Sequence, residues 1–88
     1  MTQGVLWYFP KAIEEVAKVS AFGAQKYEVP FSDQNWMYVH DGINRYSDAL
    51  ARHHLVAGEL DEESGLLHAA HRAWDALAVL ELMLQGEE

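Results

Sequence analysis

His68, His71, Arg72 and Asp75 recur at i, i+3, i+4 and i+7. On a helix that spacing brings all four side chains to one side. Immediately before them, Glu59, Asp61, Glu62 and Glu63 place four carboxylates within five positions. Such a run repels itself unless it is solvated or holds a cation. Two imidazoles, Asp75 and the loop carboxylates can converge on one point, and His53 joins them if the preceding helix packs antiparallel across the short connection. Imidazole and carboxylate ligands together favour Mn²⁺ or Co²⁺, and also admit Zn²⁺, over Mg²⁺, which prefers an all-oxygen shell. The plain alternative is a solvated face on which His68 and His71 serve no ligand. Lys26, Arg52 and Arg72 are half of the six basic residues. A cation beside a carboxylate cluster can receive phosphate oxygens; the ordinary alternative is a salt bridge to Asp48 or Glu63.

Three helical segments must position these groups. The first begins near Pro10, which suits a first helical turn. It carries Ile13, Val16, Ala17, Ser20, Ala24 and Tyr27 at three- and four-residue spacing. Ser20, Gly23 and Ala24 are small enough for another backbone to approach. Ahead of it lies an apolar arm, Trp7-Tyr8-Phe9. A loop from about Glu28 to His40 contains the turn formers Pro30, Ser32, Asp33 and Asn35. It is also aromatic, with Phe31, Trp36 and Tyr38. Those rings either cover one end of the bundle or stack on a planar ligand. Asp41 is placed to cap the second helix, whose stripe is Ile43, Tyr46, Ala49, Leu50, Val56 and Ala57, with His53 inside it and Gly58 as terminator. The third helix is expected from about Leu66 to Gln85, capped by Ser64 or Asp61. Its expected apolar stripe is Leu66, Ala70, Ala73, Leu77, Leu80 and Leu84, widened by Trp74.

Composition narrows the function classes. The chain has 88 residues, half of them hydrophobic, so one folded domain over 1–88 is expected. A net charge of −8 argues against duplex nucleic acid, whose phosphates call for clustered Lys and Arg. With no cysteine there is neither a disulfide nor a thiolate metal site. No apolar run approaches the ~20 residues of a membrane span, and no signal peptide is read, so a cytoplasmic setting is expected. A helical unit this small leaves apolar surface uncovered around Trp7, Phe9 and Leu80 to Leu84, so the expected fold is an all-α small bundle completed by oligomerisation, at least a homodimer.

One ordered set of motifs carries a resemblance. Gly23-Ala24-Gln25-Lys26-Tyr27 is followed by Asn35-Trp36 and by Ala49-Leu50-Ala51-Arg52-His53. These lead into Gly58-Glu59, Asp61, Glu63-Ser64-Gly65-Leu66, His68 and His71. From about Tyr8 to Leu82 the chain resembles the phage family of dATP/dGTP diphosphohydrolase N-terminal domains, which looks related to the MazG-like all-α nucleotide pyrophosphohydrolases. The resemblance implies an oligomeric helical domain that removes pyrophosphate from purine deoxynucleoside triphosphates with a divalent metal, in the host cytoplasm if phage-encoded. MazG-like enzymes typically carry their metal on Glu-x-x-Glu and Glu-x-x-Asp pairs. Here His68-x-x-His71 stands on the last helix, and the second helix ends Arg52-His53 without a Glu-x-x-Glu.

Together these readings give an expected site. Asp61, Glu63, His68 and His71 are the expected metal ligands, with His53 and Asp75 as additions. Glu59, Glu62 or Glu63 accepts the proton of the attacking water. Lys26 and Arg52 hold phosphate oxygens, and Tyr27, Asn35 and Trp36 adjoin the nucleoside. The alternative function is a non-catalytic phage protein that binds or sequesters a nucleotide. A helical oligomer with no ligand is a third reading, disfavoured by the aromatic loop and the His pair.

Overall fold

The structure, a computed structural model, describes residues 2–28, 35–55 and 59–86. Three α-helices follow one another: α1 (Pro10–Lys26), α2 (Gly42–Leu55) and α3 (His68–Leu84). A π-helical turn, Thr2–Leu6, precedes α1, and a 3₁₀ turn, Asn35–Tyr38, precedes α2. The all-α expectation holds. Pro30, Phe31, Ser32, Asp33, Val56, Ala57 and Gly58, and the side chain of Asn35, lie outside the described residues.

Helix α3 is central and packs along α2 and, over a shorter length, along α1. Pro10 starts α1 as expected, and the Tyr27 N–H closes its end on the Gly23 carbonyl at 3.0 Å. Asp41 stands just before α2 but caps it differently from the expected pattern. Its main-chain oxygen accepts from the Arg45 N–H at 3.0 Å, while its carboxylate accepts from the Asn44 side-chain amide, also at 3.0 Å.

The connection into α3 is closed on itself. Leu60 and Leu67 form a single antiparallel bridge, the Asp61 N–H donates to the Leu66 carbonyl at 2.8 Å, and the His68 N–H donates to the Glu59 carbonyl at 2.8 Å. Gly65 makes the reversal with φ +74°, a conformation that costs a residue with a Cβ. Helix α3 starts at His68, two residues later than expected, and neither Ser64 nor Asp61 caps it. Their oxygens close the loop instead: Asp61 accepts from the Ser64 N–H at 2.9 Å, and Ser64 Oγ accepts from the Leu66 N–H at 3.1 Å.

The inward face of α3 corrects the sequence reading. His68, Ala70, His71, Asp75, Ala78 and Leu82 are buried. Of the expected apolar stripe only Ala70 is among them; Leu77, Leu80 and Leu84 are 52%, 52% and 76% exposed. The helix is apolar on more than one side, so periodicity alone offers two faces. The main-chain ties of the acidic loop fix its first turn with His68 inward, and the rest of the helix follows that phase. The solvated reading of His68 and His71 is thereby overturned, whereas Arg72 turns away from the other three to meet His54 at 2.8 Å.

Ser20, Gly23 and Ala24 do not form a close helix seam. They line an open cleft, and a Cβ added at Gly23 would meet nothing within 4 Å. Ser20 Oγ instead accepts from the Trp74 indole N–H at 2.7 Å, which ties α1 to α3.

Candidate functional site

The three helices and the acidic loop enclose a cleft of about 630 Å³. His53 and His71 line it, and His68 adjoins His53. His53 Nδ1 and His68 Nδ1 face each other at 2.8 Å, so one carries the shared proton. His53 also stacks on His71, ring centroids 4.5 Å apart and planes 6° from parallel. Phe22 from α1 meets the His71 ring edge-on. His53, which sequence spacing joined to the group only on condition of antiparallel packing, is thus inside it.

His71 Nε2 lies 2.7 Å from Ser64 Oγ and 3.9 Å from Asp61 Oδ2. Serine, histidine and aspartate together invite comparison with a nucleophilic triad, but the arrangement differs. The carboxylate adjoins the same ring nitrogen as the hydroxyl, so it cannot orient the opposite nitrogen as a triad requires. Ser64 here locks the loop to α3.

Burial opposes ionisation of Asp61. The hydrogen bonds from Ser64, with His71 and His53 nearby, outweigh that and hold its carboxyl below the usual carboxylate range. Burial lowers His53, and His71 and His68 beside it act in the same direction. Burial also lowers His71, with Asp61 opposing. His53 and His71 are therefore neutral imidazoles beside a carboxylate near pH 7, the protonation that metal binding needs.

His53, Asp61 and His68 each offer a donor atom within 4.8 Å of the others'. This set fits a divalent cation. The cation would take the place of the proton that His53 Nδ1 and His68 Nδ1 share. His71 borders the three. Glu63 pairs with Lys26, 2.9 Å apart, across the mouth of the cleft. Asp75 lies one helical turn beyond His71, outside the converging set.

Of the loop acids expected to accept a proton, Glu63 lines the cleft, whereas Glu59 and Glu62 are exposed and do not. Lys26, Tyr27, Trp36 and Arg52 all line it. Arg52 makes no ion pair among the described residues, so the alternative bridge to Asp48 is not formed there, whereas Lys26 does form the alternative bridge to Glu63.

Part of the cleft wall is aromatic. Trp36, Tyr46 and Trp74 meet edge to face with centroids 5.5 to 6.2 Å apart. The Tyr46 hydroxyl donates to the Trp36 carbonyl at 2.6 Å, which fixes the 3₁₀ turn to α2. Sequence reading found Trp36 but assigned Tyr46 and Trp74 to packing stripes. The available signal was a polar atom on each ring in the middle of an apolar stripe.

A family model described as dATP/dGTP diphosphohydrolase, N-terminal, matches residues 3–88. The chain belongs to that family. Every cleft residue named above lies inside the matched span. A protein of Salmonella phage PMBT28, described as "dATP/dGTP diphosphohydrolase", is 43% identical over 67 residues, which is 73% of this chain and 21% of the phage protein. The chain thus spans about a fifth of that relative's length. No solved structure matches it significantly. No helix among the described residues is long and apolar enough to cross a membrane.

Proposed function

We propose that this domain is a metal-dependent pyrophosphohydrolase acting on purine deoxynucleoside triphosphates, dGTP or dATP, and releasing dNMP and pyrophosphate. The observation that carries this is the convergence of His53, Asp61 and His68 beside a cleft that His53 and Asp61 line together with Trp36, Tyr46 and Trp74, in a family of diphosphohydrolases. His53, Asp61 and His68 hold the cation, with His71 and Glu63 beside them. A histidine-rich set favours Mn²⁺ or Co²⁺ over Mg²⁺. Bound there, such an ion supplies charge neutralisation for the phosphates and a more acidic water.

The chain's own groups do the rest. Lys26 and Arg52 hold phosphate oxygens from the cleft wall. Glu63 accepts the proton of the attacking water, whose oxygen bonds to the α-phosphorus. The bond to the α–β bridging oxygen breaks, and that oxygen leaves with pyrophosphate. Trp36 stacks on the base.

Incubation with dGTP or dATP and Mn²⁺, following monophosphate and pyrophosphate, tests the reading. Asp61→Asn is expected to abolish turnover. Nucleoside diphosphate and phosphate as products would refute pyrophosphate release. The second reading, nucleotide capture without hydrolysis, draws on a specific feature: the converging set contains one carboxylate, Asp61. Tight binding with intact triphosphate recovered under every divalent metal would select it.

The oligomer belongs to the same proposal. Leu50, Ala76, Val79, Leu80 and Met83 line an apolar groove between α2 and α3. A second copy covering that face completes the bundle.

A further inference from the structure

Asp75 is 7% exposed, yet its carboxylate makes no hydrogen bond and no ion pair among the described residues. A buried carboxyl without a partner is costly and rarely retained without a use. Among the described residues no buried side-chain oxygen is sealed from solvent without a partner, so what remains accessible of Asp75 opens on the cleft it lines. Trp36, Tyr46 and Trp74 line the same cleft, and the Asp75 charge acts on the Tyr46 hydroxyl. Along α3, Asp75 stands seven residues from His68, ~10.5 Å of helix axis. That distance leaves room for a sugar between a phosphate at the imidazoles and a base at the rings.

We propose that Asp75 reads the base, its carboxyl receiving the Watson–Crick edge of a purine held against Trp36, Tyr46 and Trp74. This rests on the nucleotide reading of the cleft given above. An ionised carboxylate offers two acceptors side by side, which match the N1–H and the 2-amino group of guanine. A protonated carboxyl offers one donor and one acceptor, which match N1 and the 6-amino group of adenine. Burial raises Asp75 to about 7, with Arg52 opposing, so both forms are populated near neutral pH. Tyr46, pushed up to about 12 by burial and by Asp75 itself, stays neutral beside it. Thymine presents one N–H between two carbonyl oxygens, which repel a carboxylate. The pair of purines named in the family description thus corresponds to two protonation states of one side chain.

Binding at pH 8.5, read by tryptophan fluorescence with dGMP and dAMP, tests the assignment. The unchanged protein is expected to prefer dGMP. Asp75→Asn replaces one acceptor by a donor and is expected to reverse the order, moving the dGMP/dAMP affinity ratio by roughly 10- to 100-fold. In the unchanged protein, 7-deaza-dGMP keeps the Watson–Crick edge and is expected to bind like dGMP, whereas 1-methyl-dGMP blocks that edge and is expected to bind weakly. A folded Asp75→Asn protein with unchanged preference overturns the proposal. Equal binding of 1-methyl-dGMP and dGMP does so even if the variant fails to fold. If the unchanged protein binds no nucleotide, the nucleotide reading fails and this assignment with it. Base reading without pyrophosphate release from dGTP leaves it standing and removes hydrolysis alone.

Discussion

His53 and His71 lie ring on ring, 4.5 Å between centroids and 6° from parallel, although they stand on different helices. Burial disfavours a charged imidazole at both positions, and His68 beside them acts in the same direction. Both residues are therefore held below their ordinary value of 6.5. Their neutral forms support the fold fully above about pH 6.5, and that support is lost as pH falls through their lowered folded values. His71→Gln should cost stability at pH 8, and the cost relative to the unchanged protein should shrink towards pH 5. Urea unfolding in a chelator across that range measures both. A cost that is constant with pH would deny His71 a titrating role.

Metal affinity should follow the converging donors rather than the acidic loop as a whole. His53→Ala, His68→Ala and Asp61→Asn should each weaken Mn²⁺ binding by at least ~10-fold, the size reported for disturbing even a ligand's supporting partner. Glu62→Gln, exposed and off the cleft, should leave it unchanged. Binding should also weaken as pH falls through the lowered value of His53, where protons compete for its imidazole. Calorimetric titration with Mn²⁺ distinguishes the two groups of variants.

Asp75 titrates in the opposite sense. Its folded value, about 7, lies above the ordinary 3.8, so the fold retains a proton that the unfolded chain releases between them. Stability contributed by this group falls as pH rises through that window and stays low above it. At ~1.4 kcal/mol per unit the charged form burdens the fold by up to ~4 kcal/mol at pH 8.5. Asp75→Asn should raise unfolding free energy there by about 1 to 4 kcal/mol, and the gain should fade as the buffer approaches pH 4. Chemical denaturation at the two ends of the range checks this.

Two glycines should respond with opposite signs. A Cβ at Gly42 would sit 2.9 Å from Leu82 Cδ1, and Leu82 is the most buried side chain of the core. Gly42→Ala should destabilise by about 1 to 3 kcal/mol through overpacking. At Gly23, inside α1 with open space around it, alanine should stabilise by about 0.5 to 1 kcal/mol. Thermal melts of the two variants suffice.

The exposed side of α3 gives the last expectation. Leu77, Leu80 and Met83 are all more than half exposed. Leu80→Glu with Met83→Glu should convert an associated protein to monomer in sedimentation at micromolar concentration, with helical circular dichroism retained. A monomeric unchanged protein would reject self-association.

The helices and the inventory of the site were legible in the sequence. Pro10, the loop formers and the three- and four-residue spacings are local signals, and local signals decide where helices form. The order from Gly23 to His71 also carried the family, because motif order survives without coordinates. Which face of α3 turns inward is set by packing against other elements. The stripe through Leu77 and Leu84 and the line through His68, His71 and Asp75 are both helical in period, and hydrophobicity alone favours the wrong one. The choice is made by contacts between residues distant in sequence: the tie from the His68 N–H to the Glu59 carbonyl, the Ser64–His71 hydrogen bond and the His53–His71 stack. Likewise Lys26 meets Glu63 across 37 residues, and Trp74 reaches Ser20 across 54. Periodicity holds no information on partners at that separation, because side-chain phase along one helix is fixed only when another element packs against it.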